Sequence, residues 1–223
     1  PSEPQSASAA AARDVMLQLA VRAATRDDAE KLVGGCGAAA STLRAFVTDV
    51  AVVRAACAAL RNLTMAAASH LQKGGAGAAL AAALLAHTSN AEVLLAACDA
   101  LHNLAAQESA RGLLVQCDCV GVALVAALRS DAVDVAVART VCATLKYLAA
   151  AADHALALQH DGCGVAVIAT LQRYVDNAEV AAAACGALSN LAAADVNCSG
   201  LERDGAGAAV LAALQLHVTD ANA

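Results

Sequence analysis

Side chains able to do chemistry are few in this 223-residue chain, and they recur at regular intervals. Four of its nine cysteines, Cys57, Cys98, Cys142 and Cys185, open the segments CAALRNL, CDALHNL, CATLKYL and CGALSNL. A thiolate is a nucleophile and a soft metal ligand. Here, however, each cysteine precedes two leucines at three-residue spacing, which puts all three on one helix face and reads as core packing. Equivalent cysteines on adjacent packed helices would lie roughly 8–10 Å apart, beyond disulfide reach. Cys117 and Cys119 form a C-x-C pair, which lacks the further ligands of a closed metal site. The six histidines are scattered, and no Cys/His or Ser/His/Asp set recurs at a catalytic spacing. Gly74, Gly75 and Gly77 lack both the G-K-[ST] ending and the preceding strand of a phosphate loop. No catalytic residue, metal site, cofactor or small-molecule substrate is expected, and the chain is read as a non-enzyme.

What remains is a polar row. Asn62, Asn103 and Asn190 occupy one motif position, with Tyr147 in the third copy, and they point away from the Cys/Leu stripe at about 100° per residue. Just before them stand Arg61, His102, Lys146 and Ser189. Arg54 and Arg139 lie seven residues before Arg61 and Lys146, on the same helix flank, and Asp99 lies four before Asn103. Amides bind backbone groups, since each offers donors and an acceptor. Aligned guanidinium groups suit carboxylates and phosphates.

The elements that must carry this row follow from the period. Successive motif cysteines are 41, 44 and 43 residues apart, and a glycine opening an apolar run recurs at Gly37, Gly77, Gly121, Gly164 and Gly207, at intervals of 40, 44, 43 and 43. Two landmarks share one period, the signature of a repeat array. Each unit divides into three helical stretches. The first is short and polar, as at 27–33 or 154–159, and stops at a glycine such as Gly162 or Gly205, which can take the left-handed conformation. The second is apolar, as at 78–85, 122–128 and 165–171, and is followed by a turn of Ser, Thr, Asp or Asn able to cap the next helix. The third is the longest, running roughly over 50–64, 92–105, 134–149 and 179–192. It carries the Cys/Leu stripe, extended by Val53 and Leu94.

Composition agrees with helices. The chain is 60% apolar, dominated by Ala and Leu, with three aromatic residues and two prolines confined to the first four positions. A net charge of −6 offers no basic field for nucleic acid. No apolar stretch approaches the roughly 20 residues of a membrane span, so no membrane insertion is expected. An odd number of cysteines spaced by the repeat suits free thiols in a reducing compartment, and an intracellular location, cytoplasmic or nuclear, is expected.

A three-helix unit of about 42 residues carrying V-x-x-A-C-x-A-L-x-N-L-A, as at 93–105 with local variations, resembles the armadillo repeat. The likeness spans residues 13–223: a lone third helix at 13–25, repeats at 26–64, 65–105, 106–149 and 150–192, and an unfinished unit at 193–223, after a disordered or low-complexity lead at 1–12. Residues 218–223 align with the polar turn at 175–180, so the array is expected to be cut from a longer one. The resemblance implies an all-α, right-handed α-solenoid whose third helices line a concave groove. It also implies that Asn62, Asn103 and Asn190 clamp the backbone of an extended peptide. The row is interrupted by Tyr147, and Ala23 stands at that position in the remnant, with Arg22 before it. Importin-α carries Trp four residues before the Asn, where this chain has Ala58, Asp99, Ala143 and Gly186, so a nuclear-import adaptor is not implied. The expected function is a scaffold binding a protein or extended peptide, acidic in character, through Asn62, Asn103, Asn190, Tyr147, Asp99, Arg54, Arg61, His102, Arg139 and Lys146. The alternatives are a structural array packed against other domains, or a non-catalytic part of a larger enzyme.

Overall fold

The computed structural model describes residues 3–23, 35–73, 75–117 and 119–220, and among them thirteen helices and no strand. Five helices carry the Cys/Leu stripe or its equivalent: α1 (Glu3–Arg22), α3 (Val50–Lys73), α5 (Ala91–Ala106), α8 (Val135–Leu148) and α11 (Ala178–Leu191). The apolar second helices are α2 (Gly35–Ala45), α4 (Ala76–Ala86), α7 (Cys119–Leu128), α10 (Cys163–Arg173) and α13 (Ala206–Asp220). Short first helices are α6 (Glu108–Val115), α9 (Ala152–His160) and α12 (Asp195–Arg203). The third helices pack in succession, α1 on α3, α5, α8 and α11, and the second helices do the same, which makes two parallel layers of an α-solenoid. The first helix expected at 27–33, Gly74, and residues 221–223 of the last polar turn lie outside the described residues.

Local chemistry sets the boundaries. Asn90, Asp134 and Asn177 cap α5, α8 and α11, their Oδ1 atoms accepting from the amides of Val93, Val137 and Val180 at 3.1, 2.8 and 3.0 Å. Asp49 does the same for α3 through Ala51 and Val52. Such caps each stabilise by about 1 kcal/mol. Gly75, Gly162 and Gly205 sit at φ of 74°, 85° and 91° between first and second helices, a conformation that penalises a Cβ. The chain bends by 90° between α6 and α7.

The stripe is core, as its spacing predicts, except at Cys185 of α11, which is half-buried because no further third helix among the described residues packs over it. Cys57, Leu60, Leu63, Cys98, Leu101, Leu104, Cys142, Leu145 and Leu148 are fully buried, as are Val53 and Leu94. Burial pushes the Cys57 and Cys142 thiols up to about 12, and Cys163 likewise with Asp161 adding to it; Cys98 rises too. These sulfurs behave as small apolar groups.

Three expectations are corrected. Residues 3–12, read as a disordered or low-complexity lead, form the first half of α1, consistent with their alanine content. Helix α3 does not stop near residue 64 but continues to Lys73, fusing the third helix of one unit to the first of the next. Glu108, Asp153 and Asp195 place a carboxylate in the first turn of α6, α9 and α12. No acidic residue falls between 64 and 73 to favour a new N-terminus there. The register of α1 also moves by two residues. Asn103 bonds the carbonyl of Arg61, which precedes Asn62, whereas Asn62 bonds that of Ala20. Val21 therefore holds the asparagine position, not Ala23, because Met16 rather than Gln18 turns into the core at 2% exposure.

Candidate functional site

The polar row lies where the sequence puts it, on the face of the third-helix layer opposite the core stripe. Its asparagines, however, are already employed. Asn62 donates through Nδ2 to the carbonyl of Ala20 at 2.8 Å, Asn103 to that of Arg61 at 3.4 Å, and Asn190 to that of Lys146 at 2.7 Å. Each bond runs from one third helix to the preceding one. Ala20 and Lys146 lie in the last turns of α1 and α8, where helix carbonyls have no intrahelical donor. The amides thus stitch consecutive repeats, and each keeps its Oδ1 and second N–H for other use.

Tyr147 has no amide to make that bond. Its ring instead packs against His102 of α5, centroids 5.4 Å apart at 55°, with the Arg111 guanidinium 5.4 Å from its centre on the other contact. Arg111, from α6, also donates to the carbonyls of Ala105 and Ala106 and so closes the end of α5. Burial lowers the pKa of His102, with Asp99 opposing and Arg139 reinforcing the shift, which keeps the imidazole neutral near pH 7. Its Nδ1 is buried and unpartnered.

The basic flank is largely neutralised within the array. Arg54 pairs with Glu92 at 2.6 Å, Arg61 with Asp99 at 3.6 Å and Arg139 with Glu179 at 3.4 Å, each bridging one third helix to the next. The partners are about half exposed, so each pair contributes well under about 1 kcal/mol. Their effect on the surface charge is larger, because three guanidinium groups read as ligand contacts face carboxylates of the protein. Lys146 is the exception, having no ion pair among the described residues. Its stem lies over Gly186 of α11, where a Cβ would sit 2.9 Å from Lys146 Cδ.

Two hollows open on this face. One, of about 540 Å³, is walled by α1, α3 and α5 and lined by Arg13, Leu17, Arg54, Ala58, Arg61, Glu92, Leu95 and Asp99. The other, of about 470 Å³, is walled by α5, α8 and α11, with His102, Arg139, Lys146, Tyr147 and Glu179 around a floor of Ala143, Ala182 and Ala183. The structure therefore brings Arg54, Arg61 and Asp99 together in one hollow, and His102, Arg139, Lys146 and Tyr147 in the other. Glu92, Glu179 and Arg111 belong to the site and escaped the sequence reading. Glu92 and Glu179 share a register 87 residues apart, yet their position at helix starts explains them equally well as dipole partners.

A second ladder also went unread. His87, Ser130, Tyr174 and His217, spaced by 43, 44 and 43 residues, bond the carbonyls of Val47, Thr88, Val133 and Val175 in the preceding turns. Residue types so unlike one another conceal the common position. The sulfurs of Cys117 and Cys119 lie 3.1 Å apart, and no group of three His, Cys, Asp or Glu able to hold a metal ion occurs among the described residues.

No protein-family model matches the chain, and no curated protein matches it. Solved structures do. A designed armadillo repeat protein, YIII(Dq)4CqI, superposes with a TM-score of 0.74 at 22% identity over 92% of each chain. An engineered protein reaches a TM-score of 0.75 at 22% identity, over 91% of this chain and 82% of that one. A second design, YIII(Dq.V1)4CPAF in complex with the peptide (KR)4, gives 0.70 at 21% identity, over 96% and 87%. At these identities the likeness is one of fold.

Proposed function

We propose that this armadillo-type α-solenoid is a non-catalytic scaffold that binds an extended peptide segment of a partner protein across its third helices. The carrying observation is the pair of hollows on one face of the α1–α3–α5–α8–α11 layer. Extended peptides need backbone donors and acceptors at regular intervals, and Oδ1 and the second N–H of Asn62, Asn103 and Asn190 supply both. The neighbour of the same fold that is complexed with the peptide (KR)4 supports peptide binding as a use of this architecture. Its ligand is basic. Here the charges of the first hollow are balanced within the protein, so the acidic partner expected from the arginine flank rests on the second hollow. A reducing, intracellular setting is part of the same proposal, in keeping with thiols buried as core groups.

The test fills the hollows without altering charge. Ala58→Gln and Ala143→Gln place longer neutral side chains at half-buried floor positions on helices that tolerate glutamine. A random dodecapeptide library panned against the chain should yield binders whose affinity falls at least about tenfold in the double variant, while its thermal midpoint stays within about 2 °C. Failure to select any binder, or binders indifferent to both substitutions, would leave the structural-array reading in its place.

A further inference from the structure

One ion pair between third helices joins the residue before the asparagine to the residue four before the asparagine on the next third helix: Arg61 reaches Asp99. Lys146 occupies the first position on α8, and the second on α11 is Gly186. The cation of the pair is present and its carboxylate is not. The place where that carboxylate would start is covered by the lysine itself: Cδ, Cε and Nζ of Lys146 lie 2.9, 3.2 and 3.5 Å from the site of a Gly186 Cβ.

We propose that the hollow between α5, α8 and α11 takes an acidic side chain of a groove-bound peptide, whose carboxylate or phosphate pairs with Lys146, which has no ion pair among the described residues. This rests on the peptide-binding reading above and assigns the charge selectivity to one subsite. The surroundings agree. Arg139 and Glu179 cancel each other on the rim. Arg111 adds a fixed positive charge behind Tyr147, held by two carbonyls and the ring. His102 is neutral and contributes a polar wall. The phenol of Tyr147, with no hydrogen-bond partner among the described residues, is a donor on the same side as Lys146. Asn190 holds the Lys146 carbonyl at 2.7 Å, which fixes the helix turn that presents the ammonium. The first hollow is different: Arg13, Arg54 and Arg61 face Asp14, Glu92 and Asp99 within it or beside it, leaving no unanswered cation.

The experiment uses the selected dodecapeptides and two variants. Panning on the chain should enrich Asp or Glu at one fixed peptide position. Replacing that residue by Gln should weaken binding about tenfold or more, as expected for loss of a charge-assisted hydrogen bond. Lys146→Ala should produce the same loss for the acidic peptide and less than about a twofold loss for its Gln version. Gly186→Asp should do likewise, because it places a carboxylate beside Lys146 as Asp99 stands beside Arg61; the new Cβ requires the lysine stem to shift from its 2.9 Å approach at Cδ. Placing phosphoserine at the position and comparing it with Glu distinguishes phosphate from carboxylate as the preferred anion. Binders with no fixed acidic position, or an acid preference that survives both Lys146→Ala and Gly186→Asp, would overturn the subsite while leaving groove binding intact. Absence of any binder would overturn both.

Discussion

Truncating the asparagines one at a time separates stitching from clamping. A neutral hydrogen bond contributes about 0.5–1.5 kcal/mol net, and the lower half of that range applies where water can replace the lost donor. Asn62 and Asn190 are half-buried, and their bonds to Ala20 and Lys146 are 2.8 and 2.7 Å long, reaching last-turn carbonyls with few other donors. Asn62→Ala and Asn190→Ala should therefore each cost about 0.5–1 kcal/mol. The Asn103 bond is 3.4 Å long, and its acceptor, the Arg61 carbonyl, also receives Thr64 Oγ1. Asn103→Ala should cost less than about 0.5 kcal/mol. Urea titration followed by circular dichroism, fitted with a common slope, resolves this ordering, and thermal midpoints should fall by roughly 1–4 °C for the first two variants. Equal losses for all three, or a larger loss for Asn103→Ala than for Asn190→Ala, would refute the stitching argument. Loss of peptide binding in Asn103→Ala at nearly unchanged stability would show the same amide acting on a ligand.

Other consequences of the structure are as direct. Leu101 is fully buried between neighbouring third helices, so Leu101→Ala should cost about 2–5 kcal/mol in the same titration; a change near zero would contradict the face assignment. A Cβ on Gly164 would meet Gln159 Oε1 at 2.2 Å and Leu201 Cδ2 at 2.6 Å, whereas one on Gly207 meets nothing within 4 Å. Gly164→Ala should destabilise by about 1–3 kcal/mol and Gly207→Ala should be neutral or stabilising by up to about 1 kcal/mol. Burial raises the Cys57, Cys142 and Cys163 thiols from about 9 to about 12. The unfolded chain loses these protons first, so stability is complete below pH 9 and should decline as pH rises from about 9 to about 12. Cys→Ser replacements at these positions should flatten that limb of a pH series of urea titrations. At pH 8, a disulfide reagent should modify exposed Cys198 well before these three.

The repeat, its three-helix division and the split between core and open face are legible in the residues alone. Those features are written in short-range spacing: leucines three residues after a cysteine, an Asn or Asp at the turn before a third helix, a glycine where φ must be positive. Each is a local rule that acts within a few residues. The sequence also names most of the side chains around both hollows. What those side chains do is set by the stacking of one repeat on the next. Whether Arg61 is available to a ligand depends on Asp99, 38 residues away, and whether Asn190 is a free clamp depends on a carbonyl 44 residues back. The shifted register of α1 arises the same way, because a two-residue slide is settled by which side chain the neighbouring helix buries, Met16 and not Gln18. Spacing along the chain reports the face on which a residue lies. Its occupation is set by the adjacent repeat, and two charges on stacked helices cancel or remain open according to a single position such as Gly186.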